Sequence, residues 1–141
     1  MALAELYHDD GAAHLQLAPG ELLQCVRVPP KVPGSVSAYR KARVRGAMDF
    51  PLAGVACHLT LHDSSFASLR VALTGTNSKP FVLSGTEELL GKPVNEESMT
   101  RLGKLVQKQV SPMRSTAMSS NYRRLVAAAL AGLGNAPFHP V

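Results

Sequence analysis

From Ala53 to Leu61 the chain alternates strictly. Ala53, Val55, Cys57, Leu59 and Leu61 fall on one side of an extended strand, and Gly54, Ala56, His58, Thr60 and His62 on the other. The first side reads as core. The second, built of small and mildly polar groups, predicts that something lies close above it: another backbone, a helix or a partner. This strand runs from Pro51 to Asp63, and His62-Asp63-Ser64-Ser65 is a polar break. Beyond the break, Leu69, Val71 and Leu73 alternate with Ser68, Arg70 and Ala72, which predicts a strand over Ala67 to Thr74, antiparallel to the one before. Val36 to Arg43 precedes them as another strand. Glu21 to Val28, ELLQCVRV, reads as the first, with Leu22, Gln24, Val26 and Val28 facing one way and Leu23, Cys25 and Arg27 the other; Pro29, Pro30, Pro33 and Gly34 stop it. Consecutive strands with short connections make a meander with one buried face. Ahead of them, the apolar strip His14 to Leu17 sits between turn signals.

At Ser84 the period changes from two to 3.6. Ser84-Gly85-Thr86-Glu87 fits a capping box opening a short helix that ends at Gly91, with Pro93 just beyond. Asn95 caps the next helix, Glu96 and Glu97 favour its first turn, and Leu102, Leu105, Val106 and Val110 form its apolar stripe. Ser111-Pro112 ends it. The last helix begins near Ser119 or Ser120 and presents Tyr122, Leu125, Val126, Ala129, Leu130 and Leu133, before Gly134 and Pro137. Strands first and helices afterwards predict an α+β fold, an antiparallel β-sheet of three to four strands with about three helices packed on one face. The boundaries read as 1–20 for a linker and short N-terminal strand, 21–134 for the α+β domain and 135–141 for a tail.

Composition narrows the function more than it specifies it. A chain of 141 residues suits one domain without metal or disulfide staples. Cys25 and Cys57 lie within apolar runs and read as small buried hydrophobes rather than a disulfide framework, which points to the cytoplasm. The N-terminus lacks a charged-then-apolar leader, and Leu125 to Leu133 is short of the roughly 20 residues that cross a bilayer. A net charge of +5 suggests nucleic acid, but aromatics make up only 5% and form no stacking platform, so nucleic-acid binding is not expected.

The densest charge, Arg40, Lys41, Arg43 and Arg45, lies beside Gly46, and function is expected near it. No glycine-rich phosphate loop occurs. His58 and His62 share a strand face but stand too far apart to chelate one metal, so no metal site is expected. Asp49 is expected to form a structural ion pair with Arg43 or Arg45, since no nucleophile or second acid accompanies it. Tyr122-Arg123-Arg124 puts two arginines in a first helical turn, against the helix dipole, so they are expected to reach acidic groups elsewhere in the protein or in a partner. The chain shows no self-contained active site.

Three segments in order carry a resemblance: ELLxxVxVPP at Glu21 to Pro30, AYRKARVRGAMDFPLAGVA at Ala38 to Ala56, and SPMRSTAMSSNYRRLVAAAL at Ser111 to Leu130. Together they resemble the C-terminal domain of the FAD-binding subunit of molybdenum hydroxylases, the family of carbon monoxide dehydrogenase and xanthine dehydrogenase. RVRGAMDFPLAGVA and SSNYRR look most like the flavoprotein branch of the 4-hydroxybenzoyl-CoA reductases. The likeness extends from about Leu6 to Leu133.

The resemblance implies electron transfer inside a larger enzyme, with an N-terminal FAD-binding domain and iron–sulfur and molybdopterin subunits as partners. In that family a glycine-rich loop outside this domain holds the FAD pyrophosphate. It implies that this chain is an expressed fragment or a separately encoded piece, not expected to hold FAD tightly alone and able to form a homodimer when isolated. Tyr39-Arg40-Lys41 matches the family's strand near the flavin ring. Lys41 is the favoured flavin-proximal cation, since a fixed positive charge there stabilises the reduced ring and raises its potential; Arg40 competes for the role. Tyr122-Arg123 matches an element that contacts the sheet or a partner domain. Pro112-Met113-Arg114 departs from the acidic residue usual before that arginine. The substrate is chosen in the molybdenum subunit. An adaptor domain of the same fold without cofactor is the alternative; it would carry a polar, self-sufficient surface near Tyr39.

Overall fold

The structure is a computed structural model that describes residues 1–44, 50–113 and 118–132. Arg45, Gly46, Asp49, Arg114, Leu133, Gly134 and Pro137, which figure in the expectations above, lie outside the described residues. Four antiparallel strands form one sheet in chain order: β1 Ser35–Ala42, β2 Ala53–His62, β3 Ser65–Thr74 and β4 Phe81–Val82. Two helices follow, α1 Glu96–Gln109 and α2 Ser120–Gly132. The fold class is the α+β arrangement that the change of period predicts.

The β2–β3 turn places Asp63 and Ser64 at φ 48° and 61°. Two successive left-handed residues twist a hairpin in the sense its strands require. Beneath the sheet, Val55, Leu69, Val71 and Leu73 meet Leu102 and Val106 of α1 and Ala127 and Ala128 of α2. Asn95 caps α1 as its sequence predicts: its side-chain oxygen accepts from the Ser98 amide at 2.9 Å, while its own amide donates to Ser98 Oγ at 3.0 Å.

Four local expectations are corrected. Residues 21 to 28 make no strand; they form extended, exposed chain in which Leu22 is 90% and Val28 82% exposed. Alternation supplies a strand's faces, but not the neighbour whose backbone completes a ladder. Cys25 is therefore exposed, whereas Cys57 is half-buried and its burial pushes the thiol's pKa up.

The short helix after Ser84 is a 3-10 turn, Thr86–Leu89. Gly85 precedes it at φ 82°, and Ser84 makes no cap. Ser84 spends its amide and hydroxyl on Gln109 Oε1, at 3.0 and 2.8 Å. In α2 the buried stripe is turned toward Ala127 and Ala128, leaving Tyr122, Leu125 and Ala129 exposed. Small residues decide this: a Cβ on Gly103 of α1 would stand only 3.9 Å from the Ala128 Cβ, so the helices approach through their least bulky faces. Leu61, read as core, is 47% exposed at the far end of β2.

One buried group lacks a partner among the described residues. Thr76 is 2% exposed, and its Oγ1 makes no hydrogen bond. Thr76→Val keeps the shape and removes the stranded hydroxyl, so thermal unfolding should show a gain of about 1 kcal/mol. A loss would show that the hydroxyl is satisfied.

Candidate functional site

The sheet face turned away from the helices is assembled row by row from the strand register. Lys41 stands opposite Gly54, which stands opposite Thr74. The next row is Tyr39, Ala56, Ala72 and Val82, and the one after it Ser37, His58 and Arg70. Side chains two apart on a strand share a face. Tyr39 and Lys41 therefore stand together over a floor of Gly54, Ala56 and Ala72.

The small residues of β2 have a local cause. A Cβ built on Gly54 would lie 2.5 Å from Thr74 Oγ1 and 2.7 Å from the Tyr39 hydroxyl. Only glycine leaves room for the phenol to recline across the neighbouring strand. What lies above the small-residue side of β2 is thus the Tyr39 ring, itself 57% exposed on its outer surface. Val44 and Phe50, at the two sides of the β1–β2 connection, are 52% and 89% exposed.

Arg40 goes elsewhere. It pairs with Val55 in the register and, with Val36, Ala38, Cys57, Leu59 and Leu130, lines a cavity of about 320 Å³ on the helix side of the sheet. Lys41 and Arg40, adjacent in sequence, are separated by the thickness of the sheet.

Among the described residues Arg123 has no carboxylate partner. Its Nε donates to the Leu52 carbonyl at 3.2 Å, one terminal nitrogen to the Met113 carbonyl at 2.8 Å, and the other to the Gly75 carbonyl. Arg124 Nε donates to the Val110 carbonyl at 3.4 Å. Among the described residues, backbone carbonyls take the place of the acidic groups expected within the protein. A planar guanidinium with donors along its fork can hold several carbonyls at once. Leu52 and Gly75 flank the strand ends that carry the Lys41 row, so Arg123 fixes that end of the sheet from below. The sequence signal for this was the arginine's awkward place in a first turn; its true partners, irregular carbonyls, have no sequence signature.

His58 is half-buried on the outward face, and exposed His62 places Nδ1 3.3 Å from the Asp63 carboxylate. Among the described residues no three His, Cys, Asp or Glu side chains are grouped to hold a metal, and no helix is long and apolar enough to cross a membrane.

Residues 37–132 match the CO dehydrogenase flavoprotein C-terminal domain. The glyceraldehyde dehydrogenase medium chain of Sulfolobus acidocaldarius is 32% identical over 108 residues, 76% of this chain and 38% of that one. An aldehyde oxidoreductase FAD-binding subunit of Escherichia coli is 35% identical over 95 residues, 65% and 28% of the two chains. A xanthine dehydrogenase FAD-binding subunit from the same species is 28% identical over 115 residues, 80% and 39%. The chain thus spans between 28% and 39% of the length of these relatives. Among solved structures, CO dehydrogenase from Oligotropha carboxidovorans superposes with a TM-score of 0.82 at 24% identity, over 92% of this chain and 45% of that one. Quinoline 2-oxidoreductase from Pseudomonas putida gives 0.66 at 19%, over 72% and 35%. At these identities the superpositions establish the fold.

Proposed function

Because this chain belongs to the family of the CO dehydrogenase flavoprotein C-terminal domain, we propose that it forms the C-terminal domain of the FAD-binding subunit of a molybdenum hydroxylase. In that role its outward sheet face covers the flavin ring, and its exposed apolar segments dock neighbouring domains for electron transfer. The carrying observation is the union of Tyr39 and Lys41 on one face over Gly54, Ala56 and Ala72. A floor without bulky side chains, an aromatic ring lying along it and an ammonium beside it fit one side of a flat, electron-rich ring system.

Bound FAD would supply the redox chemistry. Lys41 would hold a positive charge at the ring's edge, Tyr39 would pack on the ring and keep water from it, and Gly54 would leave Tyr39 its place.

The surroundings support a docked partner over the adaptor alternative. Val44, Phe50, Leu22 and Val28 are exposed by half or more, and such apolar surface marks an interaction site. Under this reading the neighbours are the N-terminal FAD-binding domain and, beyond it, iron–sulfur and molybdopterin subunits. The domain then occupies 21–134 between a linker and a tail. A 4-hydroxybenzoyl-CoA reductase is the narrower reading; it rests on the wording of RVRGAMDFPLAGVA and SSNYRR, whereas the matched relatives are named as dehydrogenases and oxidoreductases of aldehydes and xanthine.

The test is the flavin midpoint potential in the complete subunit. Lys41→Met should lower it by on the order of 30 mV, the equivalent of a tenfold change for a two-electron couple. Arg40→Met, on the other side of the sheet, should leave it in place. An unchanged potential in Lys41→Met would overturn the assignment of Lys41, and an apo subunit unable to bind FAD at all would overturn the function.

A further inference from the structure

Beside the Tyr39 row, the outward face opens into a cleft of about 960 Å³. Lys31 enters it from the loop before β1, His58 from β2 and Arg70 from β3; Ser37 lies in the same row. Val28 and Pro29 add apolar lining. His58 and Arg70 are direct cross-strand partners. Two nitrogen-bearing side chains opposite one another on a sheet can turn donors toward one ligand lying over the pair. Glu87 also lines the cleft but forms no ion pair with Lys31 or Arg70. Donors from three separate segments thus line one cleft, and none of them is held in an ion pair by a described carboxylate. By contrast Arg101, on α1, is held by Glu88 at 2.6 Å, and the Arg101 guanidinium keeps that carboxyl's pKa below its ordinary value.

We propose that this cleft binds a phosphate-bearing ligand, with the phosphate between Arg70 and His58, Lys31 closing over it, and the Ser37 hydroxyl as a further donor. Arginine forks and ammonium groups bind phosphate oxygens through charge-assisted hydrogen bonds, and the apolar lining of Val28 and Pro29 suits an organic remainder. The row stands about 7 Å along the strands from the Tyr39 row, one repeat of the pleat, and the cleft shares Val82 with that row but not Tyr39, Lys41 or the Gly54, Ala56 and Ala72 floor. It is built entirely from the described residues of this chain and does not rest on a bound flavin.

The test is an NMR titration of the full 141-residue chain at neutral pH, with sodium pyrophosphate in one arm and ADP in the other, following the His58 ring signals. A saturable movement is expected in at least one arm. Tighter binding of ADP assigns the phosphate to a nucleotide, and equal binding assigns it to a simple phosphate compound. Arg70→Gln should weaken binding about tenfold, while Lys104→Gln on α1 should leave it unchanged. Circular dichroism checks that Arg70→Gln is folded; if it is not, exposed Lys31→Gln provides the same reading. No saturable response of His58 up to about 10 mM of either compound overturns the proposal. So does an equal loss in Lys104→Gln, which would show only diffuse attraction to a basic protein.

Discussion

Replacing Arg123 with alanine should lower the stability of the chain by about 3 kcal/mol and its Tm by about 10 °C. Hydrogen bonds to a charged group each contribute about 1.5–3 kcal/mol, and Arg123 makes three to carbonyls. The sum is not fully realised, because the side chain is only half-buried and water can reach some of the released carbonyls. What remains is large because the three carbonyls belong to separate segments: Leu52 before β2, Gly75 after β3 and Met113 after α1. Without the fork, those segments lose their common anchor. Arg123→Lys should recover less than half of the loss, since a single ammonium cannot span three diverging carbonyls. Urea or thermal unfolding measures both variants. A loss in Arg123→Ala below about 1 kcal/mol would show that the carbonyls are equally well served by water.

That arginine marks where sequence reasoning succeeds and where it stops. The period-two run of β2 and the period-3.6 run of α1 were legible because burial on one face imposes its repeat directly on the residue order. Asn95 was legible because a cap is local, satisfied within four residues. The placing of Lys41 and Tyr39 on one face follows from alternation once β1 is accepted as a strand, and the same alternation puts Arg40 on the other face.

Other features depend on partners distant in sequence. Nothing near Ser84 announces Gln109, whose amide also donates to the Ser84 carbonyl at 2.8 Å, 25 positions away. The stripe of α2 was misread because large apolar residues outweigh alanines in a periodic pattern. Helix approach rewards the smaller ones when a glycine such as Gly103 faces them. The outward face was legible only as an anomaly, a row of small residues. Tyr39 explains that anomaly only after the strands are paired.

The segment from Glu21 to Val28 and the strand β3 look alike as alternating sequences, and one pair of substitutions separates them. Leu73 is fully buried, 0% exposed, on the interior strand β3, whereas Leu22 is 90% exposed. Leu73→Ala should cost about 3–5 kcal/mol, because it removes apolar burial and leaves a cavity between the sheet and two helices that cannot collapse into it. Against a total stability of about 5–15 kcal/mol, that leaves a domain near its unfolding threshold at physiological temperature. Leu22→Ala in the same chain should change stability by less than about 0.5 kcal/mol, as for any exposed position without a partner. A substantial loss in Leu22→Ala would mean that residues 21 to 28 join the fold as a strand. If Leu22 proves neutral here but costly in a complete FAD-binding subunit, its apolar surface is buried by the domain it docks against. The difference between the two measurements would then be the contribution of that contact.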